Sequence, residues 1–183
     1  MVTLHRWTEM TIKEALSWAR EQLQGACERP AFEAELLLAY HLGKDRTYLL
    51  IHDGESIADV EGFQQLIQRR AAHEPYEYIV GSASFYDIHL EVEEGVLIPR
   101  PETEILIDLV ADIIEKENIT RIAEIGVGSG AISIVLARKF PNLQIIATDI
   151  YDTPLKVAGK NIETLGLSKQ IELRQCNLID GVP

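Results

Sequence analysis

Glu124-Ile125-Gly126-Val127-Gly128-Ser129-Gly130 is the stretch on which the fold of this chain turns. It stands between a short apolar run, Ile122 to Ile125, and a segment from Ala131 with helical spacing. Glycine carries no Cβ, so it suits a strand that must turn sharply into a helix or let a ligand touch the main chain. Working outward, the periodicity predicts a strand over 122–125, a helix over 131–139, a strand over 144–148, a helix over 154–165 closed by Gly166, and a strand over 171–175. Such a βαβαβ series is half of a doubly wound parallel sheet, which makes the C-terminal part an α/β fold.

Upstream of the loop, Pro101 suits the first turn of a helix in which Ile105, Leu106, Leu109, Val110, Ile113 and Ile114 are expected to form one buried stripe. Alternating residues between Tyr76 and Val92, with a turn at Asp87, predict a β-hairpin. Glu74-Pro75 closes a helical region, because the residue before proline is pushed out of the α conformation. Within that region Thr11 and Glu14 form a capping box, and the helix it opens runs to Gly25 with Ile12, Ala15, Leu16, Ala19 and Leu23 on one face. A second helix runs from Pro30 to Gly43 with Phe32, Leu36, Leu37, Tyr40 and Leu42 as its apolar face. A short third helix contains 48–51, and a fourth spans 59–72. The organisation expected is a helical N-terminal domain over 1–74, a hairpin linker over 75–98 and a ligand-binding α/β domain over 99–183.

The 183 residues carry 17 basic and 29 acidic side chains, a formal charge of −12 spread along the chain with no basic stripe. A small molecule or a protein is therefore the expected partner, and direct nucleic-acid binding is not. Cys27 and Cys176 do not make a disulfide framework, so a reducing, cytoplasmic setting is expected. No apolar run reaches the ~18 residues of a membrane span, and the five histidines lack metal-ligand spacing.

Asp149 ends the second strand of the α/β series, at the carboxyl edge where such sheets bind ligands, and a carboxylate there can accept both hydroxyls of a ribose. Two ligand classes fit. Gly126, Gly128 and Ala131 also match a dinucleotide fingerprint, which keeps an NAD-dependent oxidoreductase half-domain open. Glu124, two residues before the first glycine, would repel a pyrophosphate but is compatible with the sulfonium and ammonium of S-adenosylmethionine. A nucleoside triphosphate site lacks its Gly-Lys-Ser/Thr, and a hydrolase elbow fails because Val127 and Ala131 flank Ser129 where glycines are needed.

The loop 124–130 resembles the first motif of class I methyltransferases. Leu97-Ile98-Pro99-Arg100-Pro101-Glu102-Thr103-Glu104 resembles the signature of the protein-glutamine N5-methyltransferase family that acts on peptide chain release factors. Glu74-Pro75, Tyr78-Ile79, Gly81 and Phe85 fit the same family, and the likeness extends over essentially the whole chain. It implies a Rossmann-like sheet, S-adenosylmethionine as cofactor and a release factor as protein substrate. By that resemblance Glu124, Gly126, Val127, Gly128, Ser129 and Gly130 line the methionine part of the cofactor. Asp149 holds its ribose, and Arg100, Glu102 and Thr103 lie at the cleft.

Two departures from the family pattern stand out. Cys176-Asn177 occupies the place of a Gly-Asp pair near the adenine, so Asn177 would meet the base with less charge. The Asn-Pro-Pro-Tyr segment that holds the substrate amide does not occur before Asp180-Gly181-Val182-Pro183. No catalytic residue is therefore assigned, and the chain is expected to bind cofactor without performing transfer. A non-catalytic interaction module with a vestigial cofactor fold is the remaining alternative. In the family's strand order the first strand lies between the second and a fourth, so its edge is expected to be covered by the rest of the sheet in a longer protein, or, in these residues alone, by another chain or by self-association.

Overall fold

The computed structural model describes residues 9–182, which form two compact units divided between Val80 and Gly81. In the first, helix α1 (Ile12–Gln22) starts where Thr11 accepts a hydrogen bond from the Glu14 N–H at 3.3 Å and Glu14 accepts one from the Thr11 N–H at 2.9 Å. Helix α2 (Pro30–Leu42) has proline in its first turn and ends at Gly43 in the left-handed conformation, φ 61°. Helices α3 (Arg46–Ile51) and α4 (Val60–Ala71) begin at the side-chain caps Asp45 and Asp59. Their apolar faces meet in a core that includes Ile12, Ala15, Leu23, Leu37, Leu38, Phe63 and Ile67. The buried face of α2 is Ala34, Leu37, Leu38 and Ala39, whereas Tyr40, expected inside, is 49% exposed.

Helix α4 stops before a left-handed His73, φ 66°, and Pro75 starts another helix. The carbonyl of Pro75 accepts from the N–H groups of Tyr78 and Ile79, opening the one-turn helix α5 (Tyr76–Val80), whose Ile79 is buried in the helical core. The hairpin expected from Tyr76 is consequently shorter: β1 (Ser82–Phe85) pairs antiparallel with β2 (Ile88–Glu91) across the turn at Tyr86 and Asp87. Fixed φ at proline is compatible with a first helical turn, which explains why a boundary signal did not become a strand.

In the second unit, α6 (Glu102–Glu117) precedes β3 (Arg121–Ile125), α7 (Ala131–Lys139), β4 (Gln144–Asp149), α8 (Asp152–Thr164) and β5 (Ile171–Gln175). The three strands are parallel in the order β3-β4-β5, with Ile122 opposite Ile145 and Ala147 opposite Leu173. The βαβαβ reading and its element bounds agree with this arrangement to within a residue or two.

The single stripe expected on α6 does not occur. Ile107, Ala111 and Ile114 are buried, but Ile105, Leu106, Leu109 and Ile113 are each about half or more exposed, at 66, 49, 59 and 53%. The helix has two apolar faces, and in this unit only one is covered. β3 pairs with β4 alone among the described residues, so its other edge is open and Ile125 is 54% exposed.

Candidate functional site

The C-terminal end of β3 runs into a loop in which Gly126, Gly128 and Gly130 all have positive φ, at 79, 56 and 86°. The N–H groups of Gly126 and Val127 both donate to the carbonyl of Thr148, at 2.8 and 2.9 Å, which fastens the loop to the end of β4. Gly130 then caps α7 in the left-handed conformation. The backbone angle at Gly130 favours glycine, and a Cβ there would lie 3.1 Å from Ile134 Cδ1, so that side chain would also have to shift slightly. At Gly126 and Gly128 a Cβ would meet nothing within 4 Å, so open space lies beside the main chain at both.

Asp149 stands at the end of β4. One carboxylate oxygen accepts from the Gly128 N–H at 3.4 Å and the other from the Tyr151 N–H at 3.1 Å. Two of the sequence-selected features, the glycine loop and the strand-end carboxylate, are thereby brought together. Asn177 lies in the segment after β5. The Cys176 N–H donates to the Asp149 carbonyl at 3.1 Å, and the Thr148 hydroxyl lies 2.8 Å from the Leu178 carbonyl and 3.3 Å from that of Glu124. These contacts hold Asn177 beside the same strand end.

Glu124 is held rather than free. One of its carboxylate oxygens accepts from the Ser133 N–H at 3.1 Å and from the Ser133 hydroxyl, in the first turn of α7. Its other oxygen has no hydrogen bond among the described residues. Burial raises its pKa from the ordinary 4.5 to about 7 and the charge of Asp149 adds to this, against the opposing hydrogen bonds from Ser133. Arg100, Glu102 and Thr103 lie on a different element, at the start of α6, where the Thr103 N–H donates to the Arg100 carbonyl at 2.9 Å.

Three positioning residues were missed from sequence: Ser133, Thr148 and Asn161, respectively 0, 0 and 3% exposed. Asn161, on α8, donates through Nδ2 to the Ser129 carbonyl at 2.9 Å and to the Glu91 carbonyl at 3.0 Å, and accepts from the Glu91 N–H at 2.7 Å. It thus ties the glycine loop to β2. The signal was available, since Asn161 shares a helical face with the buried residues Val157, Ala158 and Ile162, and an amide on such a face needs partners.

The family described as PrmC N-terminal domain matches residues 14–81, and that described as methyltransferase domain matches residues 105–182. A release factor glutamine methyltransferase of Dictyoglomus turgidum is 43% identical over 162 residues, 88% of this chain and 57% of that protein. One from Koribacter versatilis is 37% identical over 94% of this chain and 62% of its own length. One from Moorella thermoacetica is 38% identical over 91% of this chain and 60% of its own. Among solved structures, the N-terminal domain of human METTL16 in complex with SAH aligns over 51% of this chain and 40% of its own, at 25% identity and a TM-score of 0.45. The chain spans about three fifths of the length of the curated relatives it matches, from 57 to 62% in these three. The chain thus joins a PrmC N-terminal domain to a methyltransferase domain, and over most of its length it is similar to proteins named release factor glutamine methyltransferase.

Proposed function

We propose that this chain contributes the S-adenosylmethionine-binding part of an enzyme that methylates the N5 nitrogen of a glutamine side chain in a peptide chain release factor, its helical unit recognising the protein substrate. The observation that carries the reading is the joining of Gly126, Gly128 and Asp149 at the carboxyl end of a parallel sheet, with open space beside both glycines. A cofactor chain can lie against the bare backbone there, and the Asp149 carboxylate is oriented by two N–H groups for ribose hydroxyls. When bound, the cofactor supplies an electrophilic methyl group on a sulfonium. Glu124 contributes negative charge beneath the loop, which favours that cation and disfavours a dinucleotide pyrophosphate. In this reading Arg100, Glu102, Thr103 and Asn177 complete the cleft around the cofactor.

Titration calorimetry tests the assignment with S-adenosylhomocysteine, S-adenosylmethionine and NAD as separate ligands. The two adenosyl compounds should bind and NAD should bind far more weakly. Replacing Asp149 by Ala should cost ~1–3 kcal/mol of cofactor affinity, the worth of charge-assisted hydrogen bonds to a ribose. Tighter binding of NAD, or unchanged affinity in Asp149→Ala, removes the assignment.

The open edge of β3 and the uncovered face of α6 lead to a second expectation. Unpaired strand edges beside apolar surface recruit other strands. The 183-residue chain purified by itself should scatter light as dimers or larger species; a monodisperse 20.5 kDa monomer would contradict this.

A further inference from the structure

The helical unit carries a cationic groove in an otherwise acidic chain. Arg20 and Gln24 near the end of α1, and Arg29, Pro30, Ala31 and Phe32 at the start of α2, line a groove of ≈ 390 Å³. No carboxylate is among these residues, although Glu21 and Glu28 adjoin them in sequence and the net charge is −12.

The Phe32 ring organises the cations. The Arg29 guanidinium lies 4.1 Å from its centroid and that of Arg46 lies 4.6 Å from it. Arg46 is already engaged by Glu35. Arg29 and Arg20 have no carboxylate partner among the described residues. An arginine stacked on an aromatic face loses little further freedom when its planar fork meets a carboxylate, and that fork matches two carboxylate oxygens at once.

We propose that the Arg20–Arg29–Phe32 groove docks an acidic segment of the protein substrate, a stretch bearing Asp or Glu side chains. The inference rests on the reading of the helical unit as the part that recognises that substrate. Charge complementarity selects the occupant: the unpaired guanidiniums call for anionic groups, and the overall charge of −12 disfavours a long polyanion such as RNA, which would extend beyond the groove into repulsive surface. A short acidic segment confines its charge to within about one Debye length, ~8–10 Å, of the two guanidiniums.

The test is fluorescence anisotropy at low salt on the full 183-residue chain and on R20E/R29E. Both side chains are exposed, and circular dichroism of the variant is the control for its folding. The labelled probes are a purified peptide chain release factor, hexaglutamate and a single-stranded RNA, with S-adenosylhomocysteine binding measured alongside. The charge reversal should weaken release-factor and hexaglutamate binding at least tenfold, in a manner that shrinks as salt rises, while S-adenosylhomocysteine binding stays unchanged. Release-factor binding that is equal in both proteins overturns the groove and leaves the functional reading standing. Hexaglutamate binding that depends on the two arginines, with no binding of release factor, supports the groove and removes the release factor as its partner. Absence of binding by both acidic probes, preference for the RNA, or self-association lost in R20E/R29E with partner binding intact also overturns it.

Discussion

Replacing Asn161 by Ala should lower the stability of the α/β unit by roughly 3 kcal/mol and weaken cofactor binding even where the protein stays folded. The substitution removes three hydrogen bonds made by one almost fully buried side chain, two to Glu91 and one to Ser129. Each buried polar group left without a partner costs about 1–3 kcal/mol. Glu91 lies on an exposed strand position and can recover part of its loss from water, whereas the carbonyl of buried Ser129 cannot. For a cooperative unit of this size the melting temperature should fall by about 10–20 °C. Freed from α8, the segment around Ser129 gains mobility, and ordering it again must be offset by ligand contacts. Calorimetric melting followed by cofactor titration at a temperature below the transition checks both effects. A variant within about 0.5 kcal/mol of the native chain would show that the network does not hold the loop.

The second large effect is a pH dependence centred on Glu124. Its folded pKa is raised by burial from 4.5 to about 7. Between those values the folded state keeps a proton that the unfolded state has released, so stability falls as pH rises through the window and levels off above about 7. At ~1.4 kcal/mol for each tenfold change in the ionisation equilibrium, the full difference is on the order of 3 kcal/mol.

Ligand binding should run the other way. A sulfonium favours the ionised carboxylate, so binding below pH 7 releases a proton, and S-adenosylmethionine affinity should rise by up to ~10-fold per pH unit from about 5 to 7. S-adenosylhomocysteine, whose sulfur is neutral, should show a shallower rise. Glu124→Gln should flatten both profiles, and it should weaken S-adenosylmethionine binding at pH 8 far more than at pH 5. Unchanged slopes in that variant would assign the titration to another group.

Much of the molecule is legible in the order of its residues because the relevant physics is local. The capping box at Thr11 and Glu14, the left-handed stop at Gly43 and the strand-loop-helix turn at Gly126 to Gly130 depend on neighbours a few positions away. Asp149 could be placed at a strand end for the same reason, since strand and helix periods alone locate the carboxyl edge of the sheet. What these local rules could not determine is which of two apolar faces finds a partner. Ile105, Leu106, Leu109 and Ile113 are as hydrophobic as Ile107 and Ile114, and only three-dimensional packing, in one cluster with residues of α7 and the hairpin, buries one set and leaves the other exposed.

The candidate site divides along the same line. Its glycines and Asp149 announce themselves through backbone geometry and strand position. Ser133 is an ordinary residue until the fold carries the Glu124 carboxylate to it, and although the buried face of α8 shows that the Asn161 amide needs partners, only the fold brings it the Ser129 carbonyl. The raised pKa of Glu124 likewise belongs to the tertiary structure, because desolvation depends on which atoms surround a group and not on which residues precede it.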